Sequence, residues 1–146
     1  MMQFEGHYYD YYVVLADDHD KFRNILKRIL QKMSDVRING EAANGLKLFE
    51  FLKILPNIQD MAIIDISMPN LEGLEATSII RRTYPDIKVL VLSMHNEKEY
   101  VCKGVSVGAT SSLTKDNVQA GLLLAIEEII KGGVIFPSLL PDRNIP

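Results

Sequence analysis

Val13-Val14-Leu15-Ala16-Asp17-Asp18 is the stretch that decides the fold. Four apolar residues run without interruption and stop at two carboxylates. A strand with one wet face alternates apolar and polar residues, whereas a strand covered on both faces has no need to. The same pattern returns at Met61-Ala62-Ile63-Ile64-Asp65 and at Val89-Leu90-Val91-Leu92-Ser93, and a shorter run closes at Leu113-Thr114-Lys115. If these runs are neighbouring parallel strands, their polar ends meet on one edge of a sheet. In open α/β sheets that edge, outside the carboxyl ends of the strands, is where ligand chemistry sits.

Helical patterns fill the intervals. Asp20 to Met33 places Phe22, Ile25, Leu26, Ile29, Leu30 and Met33 on one stripe of helical spacing. A weaker strand follows over about Arg37 to Ala42. Asn44 is placed to cap a helix carrying Leu48, Phe49, Leu52 and Leu55, which Pro56 stops. The first strand spans about Tyr12 to Ala16, the third Met61 to Asp65, and the fourth Lys88 to Ser93. A third helix runs from near Gly73 to before Pro85, with Leu74, Ile79 and Ile80 toward the core. A fourth runs from about Glu97 to Val107 with Tyr100, Val101 and Val105, and Gly108 ends it in a left-handed cap. A short fifth strand, about Thr110 to Thr114, leads to a fifth helix carrying Val118, Leu122, Ala125, Ile126 and Ile129. Asp116 is its expected cap and Gly132-Gly133 its end. Strand and helix alternate five times, which predicts a doubly wound (βα)5 fold with right-handed crossovers. The flavodoxin-like parallel order 2-1-3-4-5 puts a switch point between the first and third strands, at Asp17, Asp18 and Asp65.

The bulk composition agrees with this reading. The chain has 146 residues, 47% apolar and 24% charged, which suits one soluble domain. A chain of this size buries roughly 70% of its unfolded surface, enough for a core without covalent staples. The single cysteine, Cys102, excludes an intrachain disulfide and reads as a small buried hydrophobe. No apolar stretch is long enough to span a bilayer, and Met1 to Asp10 has no secretory character. The expected location is therefore cytoplasmic, with no membrane association. A net charge of −3 and no dense Lys/Arg stripe argue against direct nucleic-acid binding by this chain. Tyr8, Tyr9, Tyr11 and Tyr12 read as a partly buried lead-in to the first strand, with a stacking surface as the alternative.

Three crowded carboxylates repel: two unit charges ~4 Å apart cost about 4 kcal/mol at an effective dielectric near 20. A cation resolves this. Mg²⁺ prefers hard oxygen ligands and takes one or two carboxylates together with phosphate oxygens. Asp65 then reads as an in-line nucleophile for phosphoryl transfer. Asp18 would hold Mg²⁺ directly, Asp17 through water, and the backbone carbonyl of Ser67 would complete the shell with Asp65. Lys115 would pair with Asp65 and then with a phosphate oxygen, and the Ser93 hydroxyl would donate to another. His19 and His95 beside Asp17 and Asp18 invite a transition-metal reading. No third His or thiol accompanies them, so they are placed at the rim of the site. His7 reads as inert.

Asp17-Asp18-His19, Asp65-Ile66-Ser67-Met68-Pro69 with Gly73 following, Ser93-Met94-His95, and Gly108-Ala109 leading to Lys115 together resemble a bacterial response-regulator receiver domain. The match covers about Tyr12 to Gly132, with the motifs in the expected order. Asp-Asp-His, Ser-x-His and Lys115 followed by Asp116 rather than proline resemble the LuxR-type (NarL/FixJ) subfamily. The resemblance implies residues 1–11 as an N-terminal extension, 12–132 as the receiver domain, and 133–146 as the start of a linker to an output domain. It implies a sensor histidine kinase as phosphodonor, Mg²⁺ as cofactor, and Asp65 as phosphoacceptor with no turnover of external substrates. It implies a changed surface of the fourth helix, fifth strand and fifth helix, homodimerisation on phosphorylation, and control of transcription through a helix-turn-helix domain outside this chain. His19, His95 and Met68 fall at the site rim, where the residue two after the nucleophile (Ser67) and His95 would tune phosphoryl lifetime. One position departs from the family: Ser112 stands where an aromatic ring usually reports phosphorylation. Tyr100 is a candidate substitute.

Three other readings compete. A phosphorylation-independent pseudo-receiver is kept open by Ser112. A phosphohydrolase of the haloacid dehalogenase type wants an acid/base aspartate two residues after the nucleophile, where this chain has Ser67. A flavin or nucleotide binder wants a Gly- or Ser/Thr-rich loop after the first strand, and Asp17-Asp18 repels phosphate there unless a metal is present.

Overall fold

The computed structural model describes residues 2–4, 7–54, 59–68, 72–94 and 103–132. Two short strands, β1 (Met2–Phe4) and β2 (His7–Tyr9), pair antiparallel as a sheet of their own. The main sheet contains β3 (Tyr11–Ala16), β4 (Val36–Ala42), β5 (Met61–Asp65), β6 (Lys88–Ser93) and β7 (Ser111–Thr114). Its order is β4-β3-β5-β6-β7, all parallel, which is the expected 2-1-3-4-5. The helices are α1 (Asp20–Leu30), α2 (Gly45–Ile54), α3 (Gly73–Thr83), a turn of helix at residues 103–106 (α4), and α5 (Val118–Ile130).

The uninterrupted apolar runs are buried on both faces. Val13 to Ala16, Met61 to Ile64 and Val89 to Leu92 are each at most 1% exposed. Because successive strand residues point to opposite faces, they divide into two apolar layers. Val13, Leu15, Met61, Ile63, Leu90 and Leu92 pack with Leu26, Ile29 and Leu30 of α1 and Leu122, Ile126 and Ile129 of α5. Val14, Ala16, Ala62, Ile64, Val89 and Val91 pack with Leu48 and Leu52 of α2 and Leu74 and Ile80 of α3. Each such fully buried aliphatic side chain contributes about 1.5–3 kcal/mol relative to exposure.

Several boundaries differ from the sequence reading for local reasons. β3 and β4 each begin one residue earlier, at Tyr11 and Val36, because these two pair with each other. Tyr11 is buried in the core, and the residues ahead of it carry the β1–β2 hairpin. Register shifts between Val13 and Val14, whose β4 partners are Ile38 and Gly40, leaving Asn39 as a bulge. Gly40 lies under the Phe51 ring, which a Cβ would strike. α1 ends at Leu30, and Met33 follows the helix but still packs on the core. Asn44 does cap α2: its Oδ1 accepts the Lys47 N–H at 2.9 Å. Asp116 does not cap α5, because a 3-10 turn over Lys115–Asn117 intervenes and Asn117 precedes the helix. Ile79 is only half-buried, while Ala76 and Thr77 of the same helix are buried. Val105 is exposed, and Gly108 (φ +96°) closes α4 as expected of a left-handed glycine. Leu55, Pro56, Pro69, His95, Tyr100, Val101, Cys102 and the linker 133–146 lie outside the described residues. No helix among the described residues is long and apolar enough to cross a membrane.

Candidate functional site

The polar ends of β3, β5 and β7 meet at one edge of the sheet. The Asp17 N–H still donates to the Ala42 carbonyl at 3.0 Å, so the ladder fixes where its side chain starts. One Asp17 oxygen, Oδ1, accepts the His19 backbone N–H at 2.8 Å, an Asx turn that bends the chain into α1. The Arg23 guanidinium donates to the Asp17 carbonyl and bonds Asp20, and its Nε lies 3.2 Å from Glu41. At the end of β5, the Ile66 N–H donates to the Leu92 carbonyl, and the Ser67 N–H donates to Asp65 Oδ1 at 3.1 Å. Gly73 opens α3 directly against this strand end. Its N–H donates to the Ile66 carbonyl at 2.8 Å, and a Cβ there would collide with the Asp65 carbonyl and come within 2.7 Å of Ile66 Cα.

Lys115, the first residue beyond β7, reaches back across the edge. Its Nζ lies 2.7 Å from Asp17 Oδ2 and 3.3 Å from Asp65 Oδ2, and 4.5 Å over the Phe22 ring. Asp17 and Asp65 are each 1% exposed, so one ammonium is shared between two buried carboxylates. Burial pushes the Asp65 carboxyl above the usual carboxylate range. The Ser67 N–H opposes this, the Asp17 charge adds to it, and the Lys115 ammonium opposes it. Asp18 is more exposed. Carboxylate oxygens of Asp17, Asp18 and Asp65 and a ring nitrogen of His19 all lie within 4.8 Å of one another. Two desolvated carboxylates with a third alongside form a donor set of hard oxygens, which fits a dication such as Mg²⁺.

The structure thus brings together Asp17, Asp18, Asp65 and Lys115. His19, expected at the rim, is exposed, and its Nδ1 is 3.1 Å from an oxygen of Asp17, 3.1 Å from one of Asp18 and 3.4 Å from Lys115 Nζ. Ser93 ends β6, in register with Thr114 and one residue past Leu92, the partner of Asp65. Ser67 is exposed. Met68 is 6% exposed and packs in the layer under α2 and α3. Ser112 is 4% exposed, in register with Val91, and its Oγ has no hydrogen-bond partner among the described residues. Phe22 and Arg23 are site neighbours that the sequence does not signal. Helical periodicity placed Phe22 in the core, and nothing in the sequence aims its ring at an ammonium or a guanidinium at the Asp17 carbonyl.

Comparison with known proteins agrees with this geometry. The family model described as the response regulator receiver domain matches residues 13–127. The transcriptional regulatory protein DegU of Brevibacillus brevis is 35% identical over 122 residues, covering 83% of this chain and 50% of that protein. The receiver domain of the response regulator NarL from Mycobacterium tuberculosis superposes with a TM-score of 0.77 at 30% identity, covering 85% of this chain and 98% of that one. A LuxR-family two-component response regulator from Aurantimonas sp. SI85-9A1 gives a TM-score of 0.81 at 26% identity, covering 89% and 91%. The chain spans about half the length of the curated relatives it matches. With the sheet order, the carboxylate edge and these relatives in agreement, the chain belongs to the response regulator receiver domain family of two-component systems, in its LuxR/NarL-type branch, and is related to regulators of transcription.

Proposed function

We propose that this receiver is a phosphoacceptor switch in which Asp65 takes a phosphoryl group from a sensor histidine kinase. The observation that carries the reading is the buried Asp65 carboxylate, with Lys115 at 3.3 Å and Asp17 and Asp18 beside it. An oxygen of Asp65 attacks phosphorus in line. The P–N bond of the kinase phosphohistidine breaks, a P–O bond forms on Asp65, and the imidazole leaves with a proton. Mg²⁺, held by Asp17, Asp18, Asp65 and the Ser67 carbonyl, would offset the charge of the incoming phosphoryl oxygens when bound. Lys115 is shared between two acids before the reaction, and it pairs with a phosphoryl oxygen after it. Ser93, at the end of the adjacent strand, donates its hydroxyl to another oxygen.

The new group adds roughly −1.5 to −2 charges at the sheet edge. Movement of Ser93 and Lys115 toward it shifts the chain leading into α4 and the end of β7, and so the α4–β7–α5 surface. That surface change drives homodimerisation and transcriptional output through a helix-turn-helix domain reached by the segment 133–146. In this reading residues 12–132 form the receiver, Asp65 turns over no external substrate, and the protein works in the cytoplasm. The name of the DegU relative, a transcriptional regulatory protein, supports the output. A second reading, a pseudo-receiver that works without phosphorylation, is favoured by Ser112: a buried serine supplies no ring to swing.

Acetyl phosphate with Mg²⁺, followed by intact mass, separates the two. A single phosphoryl adduct that disappears in Asp65→Asn supports the switch. No adduct at any time, with the wild-type fold intact by circular dichroism, overturns it in favour of the pseudo-receiver.

A further inference from the structure

The backbone alone does not place the Lys115 ammonium. Lys115 opens the 3-10 turn after β7, and a flexible four-carbon stem separates its charge from that turn. Its side chain is nevertheless only 8% exposed, with Nζ 2.7 Å from Asp17 Oδ2 and 3.3 Å from Asp65 Oδ2. A neighbour of another kind is the ring of Phe22, over which Nζ stands at 4.5 Å from the centroid. Phe22 belongs to the first turn of α1, a rigid platform. The bond from the His19 N–H to Asp17 Oδ1 sets where that helix starts, and Leu26, Ile29 and Leu30 bury its inner face. Phe22 itself is half-buried and packs at the margin of the layer formed by the sheet, α1 and α5.

An aliphatic side chain would also fill that margin. The difference is electrical. An ammonium withdrawn from water loses hydration, and the negative face of an aromatic ring returns part of the loss, which a methyl group cannot do. We propose that Phe22 is a positioning residue for phosphoryl transfer. Its ring holds the Lys115 ammonium inside the sheet edge, between Asp17 and Asp65, from where it passes to a phosphoryl oxygen on Asp65. Without the ring the ammonium swings toward solvent on its stem, and the charge that should meet the incoming phosphoryl group is no longer in place. Phe22 touches no reacting atom and acts only through Lys115. This assignment rests on the phosphoacceptor reading above.

Two measurements on the full chain test it. In the wild-type protein the ring current of Phe22 moves the Lys115 Hε resonances upfield of those of exposed lysines, a readout that needs no variant to fold. The rate of phosphorylation by acetyl phosphate with Mg²⁺, followed by intact mass, falls about fivefold in Phe22→Leu, the size of a partly desolvated cation–π contact. It recovers in Phe22→Tyr, which keeps the ring. Ile25→Val trims packing on the same helix, so it lowers the thermal midpoint and leaves the rate as it was. A rate in Phe22→Leu equal to the wild type, a rate lost alike in Phe22→Leu and Phe22→Tyr, or Lys115 Hε resonances at the position of exposed lysines overturns the inference. If the wild-type protein takes up no phosphoryl group, the phosphoacceptor reading fails, and the Hε shift alone decides whether the ring holds the lysine.

Discussion

Asp60 and Asp65 flank a single strand, and they have little in common beyond burial. Asp60 immediately precedes β5 and Asp65 ends it. Burial raises both carboxyls above their ordinary range. At the lower end, Asp60 is stitched into the sheet. Its Oδ2 accepts the Tyr12 N–H at 2.8 Å, its own N–H donates to the Tyr12 carbonyl at 2.8 Å, and its carbonyl accepts the Lys88 N–H at 3.0 Å. The nearby Tyr11 hydroxyl is pushed far up, first by burial and then by the Asp60 charge. At the upper end, Asp65 meets another buried acid and a shared ammonium. A raised carboxyl therefore does not by itself mark chemistry. Fixed backbone donors make a structural carboxylate, whereas like charges around a movable cation make one able to exchange partners.

The largest expected effect falls on the upper end. Lys115→Met leaves Asp17 and Asp65 buried with no ammonium and costs about 3–5 kcal/mol at neutral pH without metal, read by urea unfolding. Its pH dependence follows from the sign of the Asp65 shift. A carboxyl raised above its ordinary value adds stability that is complete below that value and is lost as pH climbs through the raised one. The cost of Lys115→Met therefore shrinks on acidification. A cost that is constant from pH 7 to pH 4 would break the contrast between the two ends. Asp60→Ala comes next: it strands the Tyr12 N–H and costs about 1–2 kcal/mol, with no dependence on Mg²⁺. A Mg²⁺-dependent cost at Asp60 would blur the comparison. The smallest effect is of opposite sign. Asp65→Asn removes one of two facing charges while Lys115 keeps its nearer partner, Asp17, so the thermal midpoint in metal-free buffer rises by a few degrees. A fall would mean that the Asp65–Lys115 contact outweighs the repulsion.

Much of this architecture is visible in the chain itself, because strands covered on both faces advertise themselves. Val13 to Ala16, Met61 to Ile64 and Val89 to Leu92 have no polar residue to misread, and their ends name Asp17, Asp65 and Ser93. The edge strand β4 was weaker in sequence because its Asn39 bulge breaks the pattern and Arg37 and Glu41 stay wet. The β1–β2 hairpin is not legible in the sequence: each strand has three residues, too short for periodicity to speak. Asp116 looked like a cap because residue type alone cannot distinguish a 3-10 turn from a helix start. Side-chain direction was the least legible part. The His19 Nδ1 facing Asp17 and Asp18, Met68 turning into the core and Lys115 choosing Asp17 over Asp65 as its closer partner are rotamer outcomes, settled by packing rather than by spacing.

Gly73 sets a limit on redesign of this edge. The first turn of α3 lies against the peptide of Asp65 with no room for even a methyl group. A library that diversifies the loop after β5 should hold that codon fixed, and a grafted loop must re-enter the helix through a residue lacking a Cβ. A reporter dye or tether belongs elsewhere on the rim, since at position 73 it would pry the helix from the residue it was meant to observe.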